Sequence, residues 1–143
     1  MSAVSGDHGQ DMAWLLQGLT REVPAIRGSV LLSSDGMVKA ADGLERDNSD
    51  RLAALASSFF SLARSAGEMF DGSNHVRQVV IELQASHLYF CWAGPNSVLT
   101  VLAGKEADPA VVGYHMGQLI TSVRRFLGTA ARPGPPASGV RNR

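Results

Sequence analysis

The stretch Asp47–Phe70, DNSDRLAALASSFFSLARSAGEMF, constrains this chain more than any other. Wound at about 100° per residue, Leu52, Leu55, Ala56, Phe59, Phe60, Leu62, Ala63, Ala66, Met69 and Phe70 fall within an arc of roughly 200°. An amphipathic helix lying on one sheet needs an apolar stripe only a little over ~100° wide. The spacing therefore predicts a long helix with two apolar surfaces to cover, and a second copy of the same helix in a homodimer is the expected cover for one of them. The remaining arc carries Ala54, Ser57, Ser58, Ser61, Arg64, Ser65 and Glu68. These side chains are small or mostly neutral and lose little on desolvation, so they form a candidate partner-docking face.

At 143 residues the chain fits one domain, able to bury roughly two thirds of the surface its unfolded form exposes. Thirteen basic and thirteen acidic side chains cancel, which removes the strong field that would draw it to nucleic acid or an anionic membrane. The single cysteine, Cys91, excludes an internal disulfide framework and a four-thiolate zinc site, and a reducing, cytoplasmic setting follows as the default. No apolar run approaches the ~18 residues of a spanning helix, and the polar start MSAVSGDHGQD lacks a signal-peptide core. Membrane association is expected only through another protein.

Taken in order, residues 1–10 are small, polar and aperiodic, and read as a disordered start. From Asp11, a candidate N-cap, Met12, Leu15, Leu16, Leu19 and Val23 recur at helical spacing until Pro24. Ile26–Ser33 and Met37–Ala41 read as a hairpin joined by Ser34-Asp35-Gly36, because Asp-Gly supplies the positive φ such a turn needs. Capping side chains in Glu45–Asp50 then open the long helix, and Asp71-Gly72-Ser73-Asn74 closes it. Val76–Leu83, Leu88–Ala93 and Val98–Ala103 read as a three-stranded meander, with Val79, Ile81 and Leu83 on one face of the first strand and Gln78 and Glu82 on the other. Asp108-Pro109 starts a last helix with the stripe Val112, Met116, Leu119, Ile120, Val123 and Phe126, and Gly128 is placed to stop it. The Pro- and Gly-rich segment 129–143 reads as a disordered tail. The order α-β-β-α-β-β-β-α gives an α+β fold, a five-stranded antiparallel sheet with helices on both faces, as one domain over 11–128.

These motifs resemble the roadblock family, the dynein light-chain type domain. The matching residues are Leu15-Leu16 before Val23-Pro24, Val30-Leu31-Leu32-Ser33-Ser34-Asp35-Gly36, Arg51-Leu52-Ala53-Ala54-Leu55-Ala56, Leu62-Ala63-Arg64, Val76–Glu82 and Tyr114-His115-Met116, over about Asp11–Leu127. The chain is most similar to the actinobacterial branch, encoded beside a sensor-kinase-like membrane protein and a small Ras-like GTPase. The resemblance implies a homodimer whose sheet continues across the two-fold through His75–Leu83, with the long helices side by side as a GTPase-docking platform. The dimer interface is then expected at Ala53, Ala56, Phe60, Val76, Gln78 and Val80.

No GxxxxGK[ST] phosphate loop is present, so the chain is expected to act on a GTPase rather than hydrolyse nucleotide itself. Arg64 is the sharpest candidate for a charge inserted at a transferring phosphoryl. The plainer reading pairs it with Glu68 one helical turn on, and the family resemblance also argues against an arginine finger. His75, His87, His115 and Cys91 match no metal-ligand spacing; His87 and Cys91, four apart on a strand, lie about 13 Å from each other. No G-x-S-x-G elbow places a nucleophile. Asp47, Asn48, Ser49 and Asp50 lack the glycine and glutamate of a calcium loop and read as helix capping. Tyr89, Phe90 and Trp92 have no basic groove beside them for base stacking, and core packing accounts for at least two of the three. No catalytic, metal or cofactor residue is therefore assigned. The expected function is a non-catalytic homodimeric regulator or scaffold of a small Ras-like GTPase. The alternatives are an adaptor linking the membrane sensor-kinase-like protein to cytoplasmic components, and a small-ligand sensor, for which the sequence shows no convergent polar cluster.

Overall fold

The computed structural model describes residues 3–131. Its elements are α1 (Ala3–Glu22), β1 (Ile26–Leu32), β2 (Val38–Asp42), α2 (Arg46–Asp71), β3 (Gln78–Glu82), β4 (Ser86–Trp92), β5 (Val98–Gly104) and α3 (Pro109–Ala131). This is the expected α+β order, and the strands form one antiparallel sheet ordered β2-β1-β5-β4-β3. β2 and β3 are its two edges.

Turn chemistry fixes the registers. Between β1 and β2, Gly36 N–H donates to the Ser33 carbonyl and Ser33 N–H to the Met37 carbonyl, both at 2.9 Å, closing a three-residue turn. Gly36 occupies the left-handed region (φ 88°) that this turn requires of its last residue. Gln84-Ala85 makes a tighter, two-residue connection, with Leu83 N–H on the Ser86 carbonyl at 2.8 Å.

Each sheet face carries its own core because strand side chains alternate. On one face α1 and α3 bury Leu16, Leu19, Val112, Met116 and Val123 against Leu31, Tyr89, Leu99 and Val101. On the other, α2 sets Leu52, Ala53, Ala56 and Phe60 on Val30, Leu32, Phe90 and Val98. Central strands covered on both faces need apolar residues at consecutive positions. That is why Val30-Leu31-Leu32 and Val98-Leu99 show no alternation.

Three boundaries differ from the sequence reading. α1 begins at Ala3, so Asp11 lies inside it and the helix covers most of the stretch read as disordered. α2 begins earlier than its polar run suggests: its N-cap is Glu45, extended and without a side-chain cap bond, and Asp47, Asn48, Ser49 and Asp50 lie within the helix instead of capping it. Asp47 still falls in the first turn, where the helix dipole favours an acid. α3 passes Gly128 and continues to Ala131; residues 132–143 of the expected tail lie outside the described residues. The cap at its other end is as read, with Ala110 N–H donating to Asp108 Oδ1 at 2.9 Å.

Candidate functional site

α2 divides into three faces. The buried one holds Leu52, Ala53, Ala56 and Phe60. Beside it, the other half of the wide apolar arc stays exposed: Leu55, Phe59, Leu62, Ala66, Met69 and Phe70, with Leu62 at 66 % and Phe70 at 80 %. The positions 55, 59, 62, 66 and 69 are spaced 4-3-4-3, the pattern of a seam that packs on another helix. Phe59 stacks on Phe90 of β4 with ring centroids 5.8 Å apart. That contact turns the seam towards β4 and the edge strand β3, away from the β2 edge.

The opposite flank is tied down at one point and free elsewhere. Ser57 Oγ donates to the Ser34 carbonyl at 2.7 Å, and Ser34 N–H donates to Asn96 Oδ1 at 2.9 Å. The Lys39 ammonium donates to the Asn96 carbonyl at 2.9 Å and to Ser97 Oγ at 2.7 Å. This network joins the helix to two turns at one end of the sheet. Of the predicted docking face, Ala54, Ser58, Ser61, Ser65 and Glu68 are exposed. Ser58 and Ser65 satisfy their hydroxyls on the Ala54 and Ser61 carbonyls of their own helix, leaving a low, neutral surface. Arg64 lies with its guanidinium 5.7 Å from the Phe60 ring centroid, and among the described residues no ion pair joins it to Glu68. A guanidinium laid on an aromatic face gains cation–π attraction while staying at the surface.

The residues expected to meet a second copy separate into two groups. Ala53, Ala56 and Phe60 lie 0–2 % exposed in the chain's own core, which leaves them no surface for a partner. The exposed seam just beside them has that surface, and its 4-3-4-3 spacing is the sequence signal that would have found it. Val76 packs on the α2-side core, whereas Gln78 and Val80 are exposed on edge strand β3. Among the described residues β3 pairs only with β4, which leaves its outer row of backbone groups open to another strand.

On the sheet face opposite α2, β3 and β4 set Gln78 beside Cys91, Val80 beside Tyr89 and Glu82 beside His87. His87 Nε2 lies 3.2 Å from Glu82 Oε2, and Cys91 Sγ donates to Gln78 Oε1 at 3.5 Å. Burial pushes the Cys91 thiol up to about 11. Burial also raises the Tyr89 hydroxyl, helped by the negative charges of Asp108 and Glu82. Gln78, Glu82, His87 and Tyr89 together line an open groove of about 400 Å³, a polar convergence that only strand pairing reveals. Tyr89 and Phe90 are core residues, while Trp92 is half-buried under Arg124, 5.0 Å from its ring centroid. Among the described residues no three His, Cys, Asp or Glu side chains come together as a metal site. No described helix is long and apolar enough to cross a membrane.

The family profile described as Roadblock/LC7 domain matches residues 12–103. A crystal structure of a Roadblock/LC7 domain from Streptomyces avermitilis is 50 % identical, covers 81 % of this chain and 97 % of that one, and gives a TM-score of 0.79. Another Roadblock/LC7 structure from the same species is 36 % identical over 78 % of this chain and 96 % of that one, with a TM-score of 0.65. MglB of Myxococcus xanthus is 15 % identical and shares the fold, with a TM-score of 0.79 over 88 % of this chain and 94 % of its own. Among curated proteins nothing matches.

Proposed function

Because this chain belongs to the Roadblock/LC7 domain family, we propose that it is a non-enzymatic, homodimeric regulator of a small Ras-like GTPase in the cytoplasm. Two copies pair through β3 and through the α2 seam, and the GTPase docks on the outer faces of the paired α2 helices. One observation carries this reading: α2 exposes a 4-3-4-3 apolar seam on the flank nearest an open sheet edge, and a low serine-rich face away from it. The seam accounts for a second copy. The serine face, free of ion pairs among the described residues, accounts for a separate partner that sits close to the helix backbone.

A platform of this kind works by binding one state of its partner. Contacts that hold the GTPase switch loops in one arrangement shift their population by the difference in affinity between the two nucleotide states. The test is sedimentation of the purified protein, followed by binding and single-turnover hydrolysis with a small Ras-like GTPase. A monomer at micromolar concentration, or no binding in either nucleotide state, would refute the proposal.

A second reading, an adaptor that also binds a membrane sensor-kinase-like protein, has one observation in its favour. Trp14 on α1 and Tyr114 on α3 are 62 % and 63 % exposed on the side of the sheet away from α2. Exposed Trp and Tyr are the residue types that anchor protein interfaces. Binding to the GTPase with no change in hydrolysis or exchange would favour this reading over regulation.

A further inference from the structure

We propose that the β2 edge, together with the groove between β2 and the start of α2, is a second docking site that takes an extended, acidic peptide segment as an added strand. It lies at the edge of the sheet opposite β3, so it stays open in the proposed dimer and does not depend on that reading.

Among the described residues β2 pairs only with β1 and ends the sheet. Natural edge strands are commonly guarded by mobile charged side chains, lysine above all. Here both charges of β2 are tied elsewhere. Lys39 is held by the Asn96 carbonyl and Ser97 Oγ, and Asp42 accepts a 2.8 Å hydrogen bond from Thr20 Oγ1 of α1.

Beside the strand runs a groove of about 690 Å³, lined by Met37, Val38, Ala41, Leu44, Arg46, Ser49 and Asp50 among others. Met37 is 65 % exposed at its rim. A strand added to β2 would lay alternate side chains along this groove, and the lining suits small apolar ones.

The polar preference comes from two independent features. α2 begins at this groove with no side-chain cap, so its first N–H groups are available to an anion, with Arg46 alongside, although Asp47 already shares the dipole of the first turn. Ser49 of the same first turns is 3 % exposed and its Oγ has no hydrogen-bond partner, although buried hydroxyls are nearly always paired. A carboxylate seated in the groove would accept from the free helix N–H groups and give Ser49 a partner. Asp50 lines the same groove and opposes that carboxylate, which supplies a variant of opposite expected sign.

The experiment is fluorescence anisotropy of the full-length protein with three labelled peptides. These are acetyl-Val-Thr-Val-Thr-Glu-Thr-Val-amide, its Glu-to-Gln version, and a version with proline in place of the central threonine. The glutamate peptide is expected to bind saturably, the glutamine version roughly tenfold more weakly, and the proline version not at all. Arg46→Glu should abolish the preference for glutamate, Asp50→Asn should enlarge it, and Val80→Pro, which blocks the other edge, should leave binding unchanged. Equal affinity for the glutamate and glutamine peptides, retained binding of the proline peptide, loss of binding in Val80→Pro, or no saturable binding of the glutamate peptide by ~1 mM would each overturn the proposal.

Discussion

Ser57 Oγ donates a 2.7 Å hydrogen bond to the carbonyl of Ser34, joining the middle of α2 to the turn between β1 and β2. The bond takes Ser57 out of the proposed docking surface and gives it a structural role. Its neighbour Gly36 sits so close that a Cβ there would lie 3.4 Å from the Ser57 Cβ. Ser57→Ala should cost about 1 kcal/mol, a fall of roughly 3–5 °C in Tm for a domain of this size. Thermal unfolding by circular dichroism checks it, and GTPase binding measured on the folded variant should be unchanged.

Leu62 and Phe60 are two residues apart on α2 and should fail differently. Phe60 is buried against the sheet, and Phe60→Ala should destabilise each protomer by about 3–5 kcal/mol. Leu62 is exposed on the seam. Leu62→Arg should leave the secondary structure intact and release monomers, read by sedimentation equilibrium with circular dichroism on the same sample.

At the edge of the sheet, Val80→Pro should have a related effect. Proline removes a backbone donor and is tolerated on edge strands, so the fold should survive while strand pairing between two copies is weakened. A dimer dissociation constant raised by tenfold or more is the expected result in a sedimentation series.

Cys91 gives a pH dependence with a defined sign. Its thiol is raised from about 9.0 to about 11 by burial. Its contribution to stability is therefore fully present below the unfolded-state value and is lost as the pH rises from about 9 through about 11. Tyr89 is raised too and adds a loss of the same sign at the upper end. Urea unfolding from pH 8 to 11 should show a fall in stability that is reduced in Cys91→Ala, and a thiol reagent at pH 8 should label the native protein far more slowly than the unfolded chain.

Much of this was legible in the sequence because the signals were local. Asp35-Gly36 marked the first hairpin, Asp108-Pro109 the start of α3 and Gly72 the end of α2, each through the backbone conformation it permits. The long apolar arc of α2 was legible as an excess. Which half was buried was not, since Phe59 and Phe60 are equally apolar, and it is the sheet surface of Val30, Leu32, Phe90 and Val98 that takes in Phe60 and leaves Phe59 at its margin. The start of α1 was hidden because Gly6 and Gly9 and the polar residues around them carry no helical spacing. The start of α2 was hidden because Asp47–Asp50 are good capping residues that the structure places inside the first turns. Groups that act across strands, such as Glu82 with His87, became visible only once the register was known.

The most direct measurement is titration of the Ras-like GTPase, loaded with a non-hydrolysable GTP analogue, into the wild-type protein and into Ser61→Arg, with the dimer verified in both. Ser61 is exposed at the centre of the serine face and away from the apolar seam. Ser61→Arg should weaken binding by at least tenfold while the protein remains dimeric. Unchanged affinity in a dimeric Ser61→Arg would contradict it and place the GTPase on another surface.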